Sequence, residues 1–386
     1  MFKTISLRLV QMLILFVVFL TLLFFLIQLA PGSPADRFIG NPQIPPQARQ
    51  LLIERFGLDQ SLWGQYWSYI TAFFQGDLGV SFNQYPRPVM DIILERMPRT
   101  IWLFFGATVL AYYFGFILGK YLAWRRGGFS EYSITIIGVF LFTVFVPWFA
   151  IMMIWFWSFI LGIFPTGKFL DPVLWRSVDF SANDVFVPLI VTAFAALIGA
   201  GLFTYLAKRF RGRPGLSRLF SWGGSIVVVG GFVLYWASVS DKTTYALDIA
   251  YHTVLPTMTV ALIAFGGVML LMRTSMLETL AEDYILTARA KGLPDSVVRD
   301  RHAARNALLP VVTSLVLALA TIIGGGIVTE TIFAWPGLGL TLLQSAVSGD
   351  HPLALGALAF VGVLALVGHL VVDILYTYLD PRIRFD

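Results

Sequence analysis

The chain has 386 residues, 58% hydrophobic and 13% charged, with a mean hydropathy of +0.78 and a net charge of +5. Soluble globular proteins carry about 25% charged residues, so composition excludes that class and points to an all-α polytopic membrane protein. The chain has no cysteine, which excludes disulfides, Cys-ligated zinc and thiol nucleophiles.

The first apolar run covers residues 9–29 and is interrupted by Gln11, Thr21 and Gln28. At ~1.5 Å per residue it can cross a ~30 Å hydrocarbon core. Lys3 and Arg8 precede it, and Pro31 follows Ala30 directly, so an uncleaved first span with a cytoplasmic N-terminus is expected. Residues 31–98 form a long polar stretch, rich in turn signals such as PGSP and NPQIPP. Within it, residues 47–56 and 62–74 have helical apolar spacing with Trp63, Tyr66, Trp67 and Tyr69, which suit a water–lipid interface.

Residues 101–123 are the second span, followed by Trp124, Arg125 and Arg126. Residues 132–159 are the third, broken by Pro147, since a proline in a membrane helix frees a carbonyl and usually kinks it. Two more apolar runs, 185–207 and 219–239, are joined by KRFRGRPGLSR, whose five basic residues place the tip of a hairpin in the cytoplasm. Residues 252–277, 310–330 and 353–379 complete eight expected spans with both termini inside. On that layout 18 of the 27 Lys and Arg lie on one side, the cytoplasm by the positive-inside bias. Basic residues therefore decorate membrane edges rather than one groove, which argues against a nucleic-acid partner.

Between the sixth and seventh runs lies AEDYILTARAKGLPDSVVRDRHAARNALLP, the longest charge-dense interval between two apolar runs. It reads as two short helices. Asp283 can cap the first, Lys291 suits its last turn, and Gly292 supplies a left-handed stop. Pro294 fits the first turn of the second helix, and Pro310 marks the turn into the next apolar run. Thr287, Ala288 and Ala290 are small enough to let another surface approach closely, while Arg289 and Lys291 add positive charge. By itself this pattern also fits an ordinary basic cytoplasmic loop.

The segments EDYILTARAKGL and RHAARNALLP resemble the cytoplasmic loop of permease subunits of ABC importers, in the dipeptide/oligopeptide/nickel branch. LAPGSPAD, RFGLDQSLWGQYWSYI, GDLGVSF, GGGIVTETIFAWPGLG and VVDILYTYLDPRIR are similar to other parts of the same family. The resemblance implies a type I ABC importer transmembrane domain in the inner membrane of a prokaryote. It implies that Glu282, Asp283, Tyr284, Thr287, Ala288, Arg289, Ala290, Lys291 and Gly292 form a coupling helix that docks on an ATPase subunit. Its implied partners are a second, homologous permease chain, two ATPase subunits that bind ATP and Mg, and an extracytoplasmic solute-binding protein. Six spans are family-like, and residues 181–245 are expected to be an inserted helical hairpin. The expected division is therefore 1–98, a first span with an extracytoplasmic interfacial segment, and 99–386, the permease domain with that insertion. Pro294 departs from the small polar residue the family pattern suggests.

The nearest approach to a phosphate-binding loop, GFILGKY, is too short between its glycines and lacks the Ser or Thr, so any ATP belongs to another chain. No residues show catalytic or metal-ligand spacing. Gly324, Gly325 and Gly326 can allow bending or close helix approach beside a pathway, and Glu330 is expected where its span meets the outer face, in contact with substrate, binding protein or water. Asp373 is an intramembrane acid close to the cytoplasmic end of the last span, read as structural. The alternative to an ABC permease, an ion-coupled transporter or channel working alone, would need several mid-membrane ionisable groups; the spans supply Asp373 and little else.

Overall fold

The computed structural model describes residues 2–28, 60–210, 212–322 and 326–379. These residues are almost entirely helical; the one β-bridge among them pairs Val80 with Pro88. The interfacial stretch expected at 47–56 lies outside the described residues.

Helix α1 is Phe2–Gln28 and α2 is Leu62–Phe74, started by Ser61, whose hydroxyl accepts from the Gly64 amide at 3.4 Å. Helix α3, Val89–Trp124, is 36 residues long, about 54 Å at ~1.5 Å per residue. Helices α4, Phe129–Thr143, and α5, Val146–Ile154, with the wide turn Trp155–Ile160 continuing α5, form a pair bent by 108°. The expected interruption near Pro147 is there, but as a break between two helices and not a kink in one. Val144 and Phe145 are extended, and Pro147 lies in the first turn of α5, where its missing amide forfeits no helical hydrogen bond. The proline therefore helps to begin a new helix instead of bending a continuous one.

Helix α6 is Asn183–Arg209, α7 is Gly224–Ser238, which with the helical turns before it makes a 25-residue crossing, Pro214–Ser238, and α8 is Ser240–Leu280. Helix α9, Asp283–Ala290, is short and is followed by the turn Asp295–Val297 and the wide turn Val298–Ala303. Helix α10 is Ala304–Thr321, α11 is Ile327–Ile332, α12 is Leu338–Ser348 and α13 is His351–Leu379. The seventh span thus differs from its expected limits of 310–330. The apolar, membrane-long stretch is Asp295–Leu319, Pro310 lies inside α10, and Ile327–Ile332 is a separate helix. Among the described residues seven helices are long and apolar enough to cross a membrane, and the bent pair makes eight if it counts as one span. Their outward side chains, among them Leu22, Tyr113, Ile198 and Leu234, are apolar and exposed, as lipid contact requires.

The chain divides into two units, Met1–Phe156 with Pro256–Asp386, and Trp157–Leu255. The second unit is wider than the hairpin expected at 181–245. It also holds Asp171 and Trp175, whose backbone amide and indole Nε1 donate to Asp248 Oδ2 at 3.0 and 2.8 Å. In the first unit, α3 and α8 cross closely because Gly115 and Gly119 present no side chain. A Cβ at Gly119 would lie 2.6 Å from the Met269 carbonyl oxygen and 2.7 Å from Met272 Cβ. A second apolar cluster joins Phe16, Leu20 and Leu23 of α1 to Ile70 of α2 and Ala359 of α13. A third joins Val89, Ile92 and Ile93 of α3 to Leu338 of α12 and Leu353 of α13.

Candidate docking helix and the opposite turn

Helix α9 has apolar or small residues three apart at Ile285 and Ala288, which puts both on one face. That face is turned inward: Ile285 is 1% exposed and Ala288 5%, in a core with Met272, Met276, Val298 and Ala307. The other side is bare. Asp283, Leu286, Thr287 and Ala290 fall on one stripe by helical spacing, all exposed, and Leu286 is 63% exposed.

The helix ends in paired backbone bonds. The Leu293 amide donates to the Ala288 carbonyl at 3.4 Å and the Gly292 amide to the Arg289 carbonyl at 2.9 Å. This is a Schellman stop, and Gly292 has the φ of +72° it requires. Leu293 packs on the same core as Ala288.

Three helices hold α9 in place. Asn306 Nδ2 of α10 donates to the Tyr284 hydroxyl at 2.7 Å. Trp124, the last residue of α3, faces two guanidinium groups, with Arg289 5.8 Å and Arg299 5.9 Å from its ring centre. Lys120 Nζ of α3 lies 3.0 Å from Asp300 Oδ1. Ser275 of α8 donates to the Ala307 carbonyl at 2.9 Å. A cavity of about 450 Å³ opens beside α9, lined by Trp124, Arg126, Leu277, Arg289 and Asp295 among others.

The expected docking residues therefore divide. Asp283, Tyr284, Thr287, Arg289, Ala290, Lys291 and Gly292 are exposed with Glu282, but Ala288 is part of the interior and cannot face a partner. The cap also differs: Glu282 is the N-cap by backbone geometry, Asp283 is the first helical residue, and no side chain closes the cap. Pro294 likewise stands at the N-cap of Asp295–Val297, one residue before its expected place. Sequence reading missed Leu286 and Trp124. The Ile285/Ala288 spacing was a signal that Ala288 points inward; nothing in the sequence pointed to Trp124, which depends on a tertiary crossing.

At the far end of α3 lies a second built feature. Glu330 in α11 is fully buried. The Thr100 hydroxyl donates to its Oε1 at 2.7 Å and the Leu340 amide to its Oε2 at 2.8 Å. Thr100 Oγ1 in turn accepts from the Leu338 amide at 2.8 Å, and Trp335 Nε1 donates to the Arg99 carbonyl at 3.1 Å. The carboxylate sits at the amino end of α12, where amides have no helical partner and negative charge is favoured. This differs from the expectation of a carboxylate facing substrate, binding protein or water: Glu330 closes the FAWPGLG turn from within. Gly324 and Gly325 lie outside the described residues. Gly326 begins α11, and a Cβ there would lie 2.6 Å from the Phe104 ring. Asp373 falls in α13, with its side chain outside the described residues. Among the described residues no three His, Asp or Glu come together as a metal-holding group.

Long apolar helices, with a short helix braced at one end and a polar-stapled turn at the other, define a multi-pass membrane protein. The chain belongs to the binding-protein-dependent transport system inner membrane component family, which it matches over residues 111–385, and its residues 1–104 match that family's N-terminal component. It is 30% identical to the di/tripeptide transport system permease protein of Pseudomonas aeruginosa (strain UCBPP-PA14). It is 31% identical to the oligopeptide transport system permease protein of Bacillus subtilis (strain 168) and to the dipeptide transport system permease protein of Escherichia coli (strain K12). Each of these matches covers 94% of this chain and 93% of the relative. The protein is accordingly an ABC importer permease with a type I transmembrane domain, resident in the inner membrane.

Proposed function

We propose that the chain carries peptides or related small solutes inward as one of two permease subunits, driven by two ATPase subunits that bind ATP and Mg and supplied by an extracytoplasmic binding protein. Helix α9 is the element that couples it to an ATPase. The observation that carries this reading is the division of α9: Ile285 and Ala288 lock it to its own chain while the Leu286–Thr287–Ala290 side is bare. A helix that transmits force needs both, because a loosely held one would yield instead of moving the bundle.

The surroundings of α9 support its placement in the cytoplasm. Lys120, Arg125, Arg126, Arg289, Lys291, Arg299, Arg301 and Arg305 all belong to the segments that build or brace it, as the positive-inside bias requires. ATP binding then closes the ATPases, α9 moves with them, and α8 and α10, which pack on it, are the first helices displaced. A switch of populations from 1:99 to 99:1 needs about 5.5 kcal/mol of differential binding. The test is a Leu286→Glu and Ala290→Glu double variant in the reconstituted complex. The expected result is an assembled complex whose ATPases hydrolyse ATP without driving uptake; normal uptake would refute the coupling role.

A further inference from the structure

Resting on the importer reading and extending it to substrate chemistry, we infer that the end of the permease opposite α9 carries a subsite for the carboxylate of a peptide-sized solute, with Arg96 as its cation. A cavity of about 550 Å³ opens there, within the range of small-molecule pockets. Its polar wall includes Arg96 of α3, Gln344 of α12, and Asn83 and Gln84 of the preceding loop, and Leu343 lies on its apolar side. Arg96 precedes Trp124 by 28 residues in the same helix, about 42 Å at ~1.5 Å per residue. If α9 is cytoplasmic, the cavity faces the side from which solute arrives.

The charge balance singles out Arg96. Three arginines surround Glu95. Arg87 Nη2 lies 2.7 Å from Glu95 Oε2 and Arg99 Nη2 lies 3.0 Å from Oε1, each with hydrogen-bond geometry. Arg96 reaches the same carboxylate at 3.5 Å, without a hydrogen bond. Glu95 is thus already served, and the Arg96 fork, with its side chain 23% exposed, is left over at the wall of the cavity. The Gln344 side chain forms no hydrogen bond with any described residue. A planar guanidinium with a neighbouring amide donor matches a carboxylate, which it can hold through two parallel bonds.

The acid on the wall, Asp350, is occupied. The Ser81 hydroxyl and the amides of Phe82 and Asn83 donate to it, the last two at 3.0 and 3.1 Å.

The test uses the full chain with its partner subunits in nanodiscs, without binding protein, and saturation-transfer NMR with alanylalanine and with alanylalanine amide. Wild-type complex is expected to bind the acid about tenfold more tightly than the amide. Arg96→Gln should remove that difference, and Arg96→Lys should keep part of it. Equal binding of acid and amide by wild type, absence of binding by wild type, or an unchanged preference in Arg96→Gln would each overturn the inference. If Arg96→Gln fails to assemble, the two ligands on wild type and Arg96→Lys still decide. ATP-driven uptake by the wild-type complex is measured in parallel. Its failure would count against the importer reading and leave the binding result standing.

Discussion

The two ends of α3 are held by different physics. At the Trp124 end, α9 is seated mainly on an apolar core through Ile285 and Ala288, with the Asn306–Tyr284 hydrogen bond and the Arg289–Trp124 contact at its edges, and its outward side is bare. At the Thr100 end, the FAWPGLG turn is closed by a buried carboxylate with hydroxyl and amide donors at defined distances. Apolar contact is non-directional, so it holds α9 through burial and not through one set of donor–acceptor distances. A buried hydrogen-bond network is directional and costly to leave half-made, so it fixes one geometry. The contrast sets a helix seated by burial, with a bare outer side, against a turn fixed by hydrogen bonds.

The sharpest way to break this comparison is to put a charge where α9 meets its core. Ala288→Glu buries a carboxylate beside Met272, Met276 and Val298, with an expected loss of about 4 kcal/mol or failure to assemble. Co-elution of the subunits and a thermal melt measure it; a folded, assembled variant would mean that Ala288 is not interior. Next, Glu330→Ala removes the acceptor for Thr100 and the Leu340 amide. It should cost about 3 kcal/mol, read as a lowered melting temperature of the purified complex. A stability equal to wild type would show that the turn does not depend on its carboxylate.

Gly292→Val tests the stop of α9. The site is open to a side chain, so the strain comes from the φ of +72° alone, and about 1–2 kcal/mol is expected in the same melt. Ala290→Glu should have the smallest effect on stability, within ~0.5 kcal/mol, because the residue is exposed. Its transport phenotype should nonetheless be clear: about tenfold less uptake per ATP hydrolysed in proteoliposomes. The pair Ala288→Glu and Ala290→Glu, two residues apart, thus separates seating from docking, and identical behaviour of the two would erase the distinction.

Much of the bundle was legible in the chain because lipid imposes a simple rule. Backbone polar groups must pair internally, so each crossing is a long apolar helix. Seven of the eight expected crossings are long apolar helices. Those read at 101–123 and 252–277 extend well past their expected limits, as Val89–Trp124 and Ser240–Leu280. The departures arise where local signals are ambiguous. Pro147 and Pro310 carry the same covalent restriction, yet one lies in the first turn of α5 and the other is tolerated inside α10. A proline states which amide is missing; neighbouring residues decide whether the helix breaks.

The sequence by itself determined the membrane class, the existence and order of the long helices, and the α9 segment with its glycine stop. Hydropathy, helix length and the left-handed preference of glycine are local properties, read from a few residues at a time. Only the tertiary structure decided that Ala288 faces inward while Ala290 faces out, that Trp124 braces α9, that Glu330 closes a turn instead of meeting water, and that Arg96 is the arginine left over beside Glu95. The Trp124 and Glu330 placements depend on what a distant segment puts next to the residue, and the balance at Arg96 on which neighbours take the hydrogen bonds to Glu95. Burial, hydrogen-bond satisfaction and charge balance are sums over spatial neighbours, many of them distant along the chain.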